Sequence, residues 1–211
     1  MLFQSNIFNM LEKLDSTTYN HSTRVMLIAL EIETTLKLDD HKLSEAALLH
    51  DIGKIYISPT ILDKKEGLSS LERELIDLHA YIGYSILHGF AIDEDICRII
   101  LYHHGPTPIT ISSIEKYNSE EIYEKAKMLH TIDVFEALTS DRPYHRGMSA
   151  RDVLSIMKDE KGYHKDVYSY ISDMATKSDN INSAVHRKYL QETAGKVTNI
   201  INHLMKIKIV S

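Results

Sequence analysis

Apolar residues recur at three- and four-residue spacing through most of this chain, the period of a helix face. Val25, Ile28, Ala29, Ile32 and Leu36 form one such stripe. Leu43, Ala46, Ala47 and Leu49 form a shorter one, which reaches Asp51-Ile52-Gly53, where the glycine is expected to end the helix. Ser69 with Glu72 three residues on is a capping-box pattern. It opens a helix expected to run through Leu75, Ile76, His79, Ile82 and Leu87. Ile92 to Tyr102 reads as the next helix, stopped at Gly105-Pro106. Residues 105–118 hold prolines, threonines and serines and read as a loop. Ser119 caps a long helix through Ile122, Ala126, Leu129, Ile132 and Leu138, with Asp133 inside its apolar stretch. Ser149 starts a further helix carrying Val153, Leu154 and Ile156. No strand alternation of useful length and no internal repeat is visible, so the expected class is all-α.

The tail from about Asn180 to Lys208 stands apart. Leu190, Ala194, Val197, Ile201 and Leu204 alternate at spacings of four and three, a heptad seam. The seam has two uses: a last helix packed on its own domain, or a helix that pairs with a second copy as a homodimer. At 211 residues the chain suits one domain with an appendage. The net charge of −6 argues against non-specific binding of duplex nucleic acid. Met1 to Ser16 is short, mixed and charged, unlike a signal peptide. No apolar run is long enough to span a membrane. The single cysteine, Cys97, reads as a small buried residue and cannot form an internal disulfide, so the expected location is cytoplasmic.

Twelve histidines are a high count for this length. Five of them and two aspartates fall in a suggestive order: His21, His50-Asp51, His79, His103-His104 and Asp133. Adjacent residues point about 100° apart on a helix and rarely serve one site from mid-helix. At a helix end the backbone turns and both can converge, and both doublets sit just before a glycine. A lone histidine on such a helix is more often a core or surface residue. Several clusters in this order are better explained by a metal site. Imidazole with carboxylate suits iron, manganese or zinc. Two such cations a few ångströms apart lower the pKa of a shared water, and the hydroxide can attack phosphorus. No protein nucleophile stands out.

The order His-Asp, then Gly-Lys, then a distant Asp resembles the HD phosphohydrolase superfamily. Leu48-Leu49-His50-Asp51-Ile52-Gly53-Lys54-Ile55 resembles the core motif of its HD-GYP subfamily. So do His21-Ser22-Thr23-Arg24-Val25, His79 with Ile82-Gly83, the doublet His103-His104, and the run from Asp133 to Tyr144. The resemblance implies an HD-domain helical bundle with an additional C-terminal helix. It divides the chain into a lead-in or helix at 1–14, a catalytic domain at 15–175 and an amphipathic helix at 176–211. It implies a metal-dependent phosphodiesterase acting on a cyclic dinucleotide, cyclic di-GMP foremost, with two divalent ions, iron or manganese.

Residue by residue, His21, His50, Asp51 and Asp133 match ligands of a first metal. Asp51 matches the carboxylate bridging both, and His79, His103 and His104 match ligands around the second. Lys54 matches the lysine at the scissile phosphate, making Asp51 and Lys54 the catalytic pair. Arg142 matches an arginine that holds substrate phosphate, and His145 stands where a substrate-binding Lys or Arg is common. Thr17 replaces the glutamate that holds a third metal in some members, so two ions are expected. The Gly-Tyr-Pro motif after the doublet is absent: Gly105 replaces the usual Glu, and Tyr117 is a weak stand-in for the tyrosine. These departures bear on the substrate. Two alternatives follow from them: a metal phosphohydrolase for another nucleotide, or a catalytically weak HD-domain scaffold.

Overall fold

The computed structural model describes residues 4–105, 119–141, 146–158 and 162–177. These residues form helices joined by turns, with no strand among them. The helices are α1 (Gln4–Leu11), α2 (Ser16–Leu36), α3 (Lys42–Leu49), α4 (Pro59–Leu62), α5 (Ser70–Asp77), α6 (His79–Gly89), α7 (Glu94–Tyr102), α8 (Glu120–Thr139), α9 (Ala150–Lys158) and α10 (Lys165–Lys177). A 3-10 turn, Ile52–Tyr56, follows α3. Among the described residues no helix is long and apolar enough to cross a membrane.

The long helix α2 is the central support. Asp15 caps it, its Oδ1 accepting from the N–H groups of Thr17 and Thr18 at 2.9 and 3.0 Å. The predicted face of Val25, Ile28, Ala29 and Ile32 is buried against α3 and α8. The start of α3 has no side-chain cap of its own, since His41 adopts a left-handed φ of 56°. Glu33 of α2 supplies it instead, accepting from the N–H of Ser44 at 2.9 Å. That bond satisfies a donor that a helix start otherwise leaves without a partner, and it fixes α3 on α2.

Helix α7 packs against α3, α6 and α8, burying Ile96, Cys97, Ile99 and Ile100. It starts at Glu94, with Asp93 as cap, two residues later than the apolar pattern suggested. Cys97 is fully buried, as expected of a small core residue. Helix α8 follows the predicted stripe, with Ser119 capping at Ile122 and Leu129, Ile132 and Phe135 buried. On α9, Val153 and Leu154 point inward, but Met157 takes the third core position and Ile156 is exposed. The helix α10 was not evident from the apolar pattern; Val167 and Ile171 complete the core there.

Two expectations need correction. The helix predicted from Ser69 onward has its capping box, but it breaks at Leu78 into α5 and α6. In an unbroken helix the N–H of residue 80 would bond the Ile76 carbonyl. Here the ring Nδ1 of His79 lies 2.7 Å from that oxygen. Gly53 does not end α3, which stops at Leu49. It lies inside the 3-10 turn, where that turn presses on α6. A Cβ added to it would come within 2.0 Å of the His79 carbonyl oxygen and 2.8 Å of the Gly83 nitrogen. The absence of a side chain at Gly53 thus sets the distance between the turn and α6, whereas a Cβ on Gly83 would meet only ordinary contacts, the nearest at 3.5 Å.

Gly53→Ala is therefore expected to force two backbones apart. Overpacking of this kind costs about 1–3 kcal/mol, and backbone neighbours place this case at the upper end. Chemical denaturation of the variant beside the parent chain checks it. A change below about 0.5 kcal/mol would show that the contact is not close-packed.

Candidate metal centre

The helix ends carry the site. His50 and Asp51 follow α3, His79 opens α6 two residues after α5 ends, and His103 and His104 follow α7. The last carbonyls of a helix lack intrahelical partners. Three histidines use them. The Nδ1 atoms of His50, His79 and His103 lie 2.7, 2.7 and 2.6 Å from the carbonyl oxygens of Ala47, Ile76 and Ile100. A carbonyl only accepts, so each Nδ1 carries the hydrogen and each Nε2 presents a lone pair.

Those three Nε2 atoms are buried without a hydrogen-bond partner. Buried polar atoms are nearly always satisfied, so three orphans in one place call for a ligand. His103 packs against His50 and His79, with ring centroids 5.4 and 5.3 Å apart, and those two flank Asp51, which is 1% exposed. Its Oδ1 lies 3.4 Å from His79 Nε2, and its Oδ2 lies 3.6 Å from His50 Nε2 and 3.9 Å from His21 Nε2. The carboxylate thus faces one histidine group with each oxygen. Two clusters result, His21-His50-Asp133 and His79-His103-His104, the donor atoms in each lying within 4.8 Å of one another. His104 is the exposed member, its ring 3.9 Å from that of His103 and 5.0 Å from that of His79. All seven sequence-derived ligand candidates therefore converge, and their chemistry fits divalent transition metals.

His21 is held differently. It lies within α2, where backbone carbonyls are taken, and its Nδ1 bonds the carboxylate of Glu136. Its Nε2 lies 2.9 Å from Asp133 Oδ1. Glu136, fully buried, also accepts from Arg24 Nε and Ser140 Oγ. Glu136, Arg24 and Ser140 were not among the predicted site residues. The spacing contained the signal: Arg24 follows His21, and Glu136 follows Asp133, by three residues on one helix face.

Lys54 extends the site, its Nζ 2.7 Å from Asp51 Oδ2. His130 packs beside His104, with ring centroids 5.9 Å apart, and stacks on Tyr163; it belongs to neither cluster. Thr17 sits one turn before His21, and the neighbouring carboxylate, Asp15, is committed to capping α2. Arg142, His145 and Tyr117 lie outside the described residues.

Electrostatics follow burial and partners. Burial pushes His79 down to about 4, against the pull of Asp51. Burial likewise lowers His50, and lowers His103 well below the usual imidazole value with help from neighbouring histidines. For His21 burial also works downward, but the bonds to Asp133 and Glu136 outweigh it and raise the ring to about 9. Burial opposes ionisation of Asp51 and Asp133 as well. Lys54 beside Asp51, and His21 beside Asp133, hold both below the ordinary carboxylate range.

These shifts fix the pH response of the metal-free protein. His50, His79 and His103 have depressed folded values, so their contribution is present above the ordinary 6.5 and is lost as pH falls toward the about 4 of His79. His79 alone accounts for about 3 kcal/mol. His21 has a raised value, so its contribution is full below 6.5 and is lost as pH rises through about 9. Chelator-treated protein should show its highest melting temperature near pH 6.5 and fall on both sides. A flat profile from pH 4 to 9 would contradict this electrostatic picture.

Comparisons with known proteins bear on the family. A family model described as HD domain matches residues 18–138. The 3'3'-cGAMP-specific phosphodiesterase 3 of Vibrio cholerae is 33% identical over 145 residues, 67% of this chain and 31% of the relative. A cyclic di-GMP phosphodiesterase of Pseudomonas aeruginosa is 33% identical over 156 residues, 71% of this chain and 37% of the relative. The chain thus spans well under half the length of these curated relatives. Among solved structures, the HD domain of the phosphodiesterase PgpH from L. monocytogenes superposes with a TM-score of 0.52 at 18% identity. That alignment covers 93% of this chain and 95% of that one. At that identity the likeness concerns the fold. The helical scaffold, the His-Asp doublet at its centre and the matched residues lead to one conclusion: this chain belongs to the HD domain family.

Proposed function

We propose that this chain is a two-metal phosphodiesterase that hydrolyses a cyclic dinucleotide, cyclic di-GMP foremost. The observation that carries the reading is the trio of buried, partnerless Nε2 atoms, two of them beside a carboxylate that faces both clusters. The relatives are named for cyclic di-GMP and 3'3'-cGAMP, and an HD domain of the same fold has been solved with cyclic-di-AMP. That naming favours a cyclic dinucleotide over other nucleotides.

In this reading His21, His50 and Asp133 would hold one divalent ion and His79, His103 and His104 the other, with Asp51 between the two sets available to both. Iron or manganese suits the nitrogen- and oxygen-rich set. When bound, the ions supply an activated hydroxide and neutralise charge on the phosphate. The chain's own part is orientation. Three helix-end carbonyls and Glu136 keep four of the five proposed ligand rings in one tautomer. Lys54 stands at the partly open edge with its ammonium beside Asp51, where it takes up negative charge developing on the phosphodiester. Arg142 and His145 are assigned to the substrate phosphates on sequence grounds, within a catalytic unit of residues 15–175.

The test is hydrolysis of cyclic di-GMP, 3'3'-cGAMP and cyclic di-AMP by anaerobically prepared protein, with elemental analysis alongside. Two metal ions per chain and turnover of cyclic di-GMP are expected. Asp51→Ala should abolish turnover and release metal. Lys54→Ala should keep the metal and lower turnover about a hundredfold or more. Hydrolysis of another nucleotide only, or absence of stoichiometric metal, would overturn the assignment.

The carboxy-terminal seam from Leu190 to Leu204, outside the described residues, is proposed as a homodimer contact. The full chain should sediment as a dimer, and a chain ending at Asp179 as a soluble monomer. A full-length monomer at high concentration rules the contact out. Aggregation of the shortened chain would show that the seam covers its own core.

A further inference from the structure

The four inward-facing histidines with a defined Nδ1 contact divide by acceptor. His50, His79 and His103 each use a neutral carbonyl three residues back, available because each histidine stands at a helix end. His21 stands inside α2 and uses a side-chain carboxylate 115 positions away. That carboxylate, on Glu136, is built in. It is fully buried, and Arg24 and Ser140 donate to its other oxygen. The two clusters therefore differ in charge. His21-His50-Asp133 contains Asp133 and leans on Glu136, whereas His79-His103-His104 consists of imidazoles alone. A carboxylate behind a metal-binding imidazole fixes its orientation and raises its basicity.

Resting on the metal reading above, we infer that Glu136 is a positioning residue for one half of the centre only. It presents His21 Nε2 toward the cluster with Asp133 and makes that half the tighter of the two. Ser140 also joins this network to the chain leaving α8. There Gly147 N–H donates to Asp141 Oδ1 at 2.8 Å, and Met148 N–H to the Leu138 carbonyl at 2.8 Å. The carboxylate thus braces a metal ligand and the base of the segment bearing Arg142.

Glu136→Gln separates this role from simple packing. The amide keeps the shape but has one acceptor oxygen and one donor nitrogen. It can accept from His21 or from Arg24, and its nitrogen then opposes the other donor. Titration of metal-free protein with manganese, competing against a chromophoric chelator, reads the two ions separately. The parent chain should bind two ions with unequal affinity. In Glu136→Gln the tighter ion should weaken by about ten- to a hundredfold while the weaker keeps its affinity. In a His104→Ala background, which leaves the His21 cluster complete, Glu136→Gln should weaken the remaining ion by the same factor. Unchanged affinity in that background overturns the inference, and so does equal weakening of both ions in the single variant. If Glu136→Gln does not fold, Ser140→Ala should weaken the same ion several-fold, and no change there overturns the inference. A parent chain that binds no metal refutes the metal reading itself, a different outcome from any of these.

Discussion

A carboxylate buried among imidazoles is the constraint on which the rest of this structure depends. An isolated ionised group at the position of Asp51 would cost several kcal/mol. The fold tolerates it because Lys54 lies 2.7 Å away and the His21 ring, whose own value is raised to about 9, stands 3.9 Å away. Burial also keeps His50, His79 and His103 neutral, the form that can donate a lone pair. An anion faced by the lone pairs of His50 and His79 is a poor arrangement for protein alone and a good one for cations. The core of α2, α3, α7 and α8 holds that arrangement in place.

The way the ligands are supplied follows from helix geometry. A helix C-terminus leaves carbonyls unused, and a histidine placed there satisfies one while turning its other nitrogen inward. Three ends repeat this device with nearly equal Nδ1 to oxygen separations, 2.6 to 2.7 Å. The same turning of the backbone lets two successive residues face one site, which mid-helix neighbours cannot do. Gly53 then brings the turn after Asp51 against the carbonyl of His79, a closeness that any side chain would prevent. The orientation of His50, His79 and His103 and the distance from the turn to α6 are thus set by backbone contacts.

Much of this was legible in sequence because helix periodicity and capping are local. The faces of α2 and α8, the Ser69-Glu72 box and the burial of Cys97 follow from neighbours within four residues. The convergence of the candidate ligands was legible because the doublets fall at helix ends in a familiar order. What was not legible depends on distant partners. The break at Leu78 reflects a histidine ring taking a carbonyl. The role of Gly53 depends on α6, and the cap on α3 comes from Glu33. Glu136 looked like one acidic residue in a helix until α2 was placed beside it. Met157, rather than Ile156, faces inward because α9 packs on α8 and α10, which its own sequence does not specify.

The altered segment after the doublet bears on the two halves of the chemistry unequally. Gly105 has a φ of 92°, a left-handed conformation that a residue with a side chain adopts only under strain. The chain therefore leaves the site in a direction that the glutamate usual at this position would resist. Yet His103 is oriented by Ile100, which precedes the change, and Asp51 and Asp133 come from other helices. His103, Asp51 and Asp133 are thus placed by contacts upstream of the altered segment or on a different element. A segment that follows a ligand without orienting it can change around a constant set of donors. This is how an HD domain can retain its chemistry while the surface that meets the substrate differs.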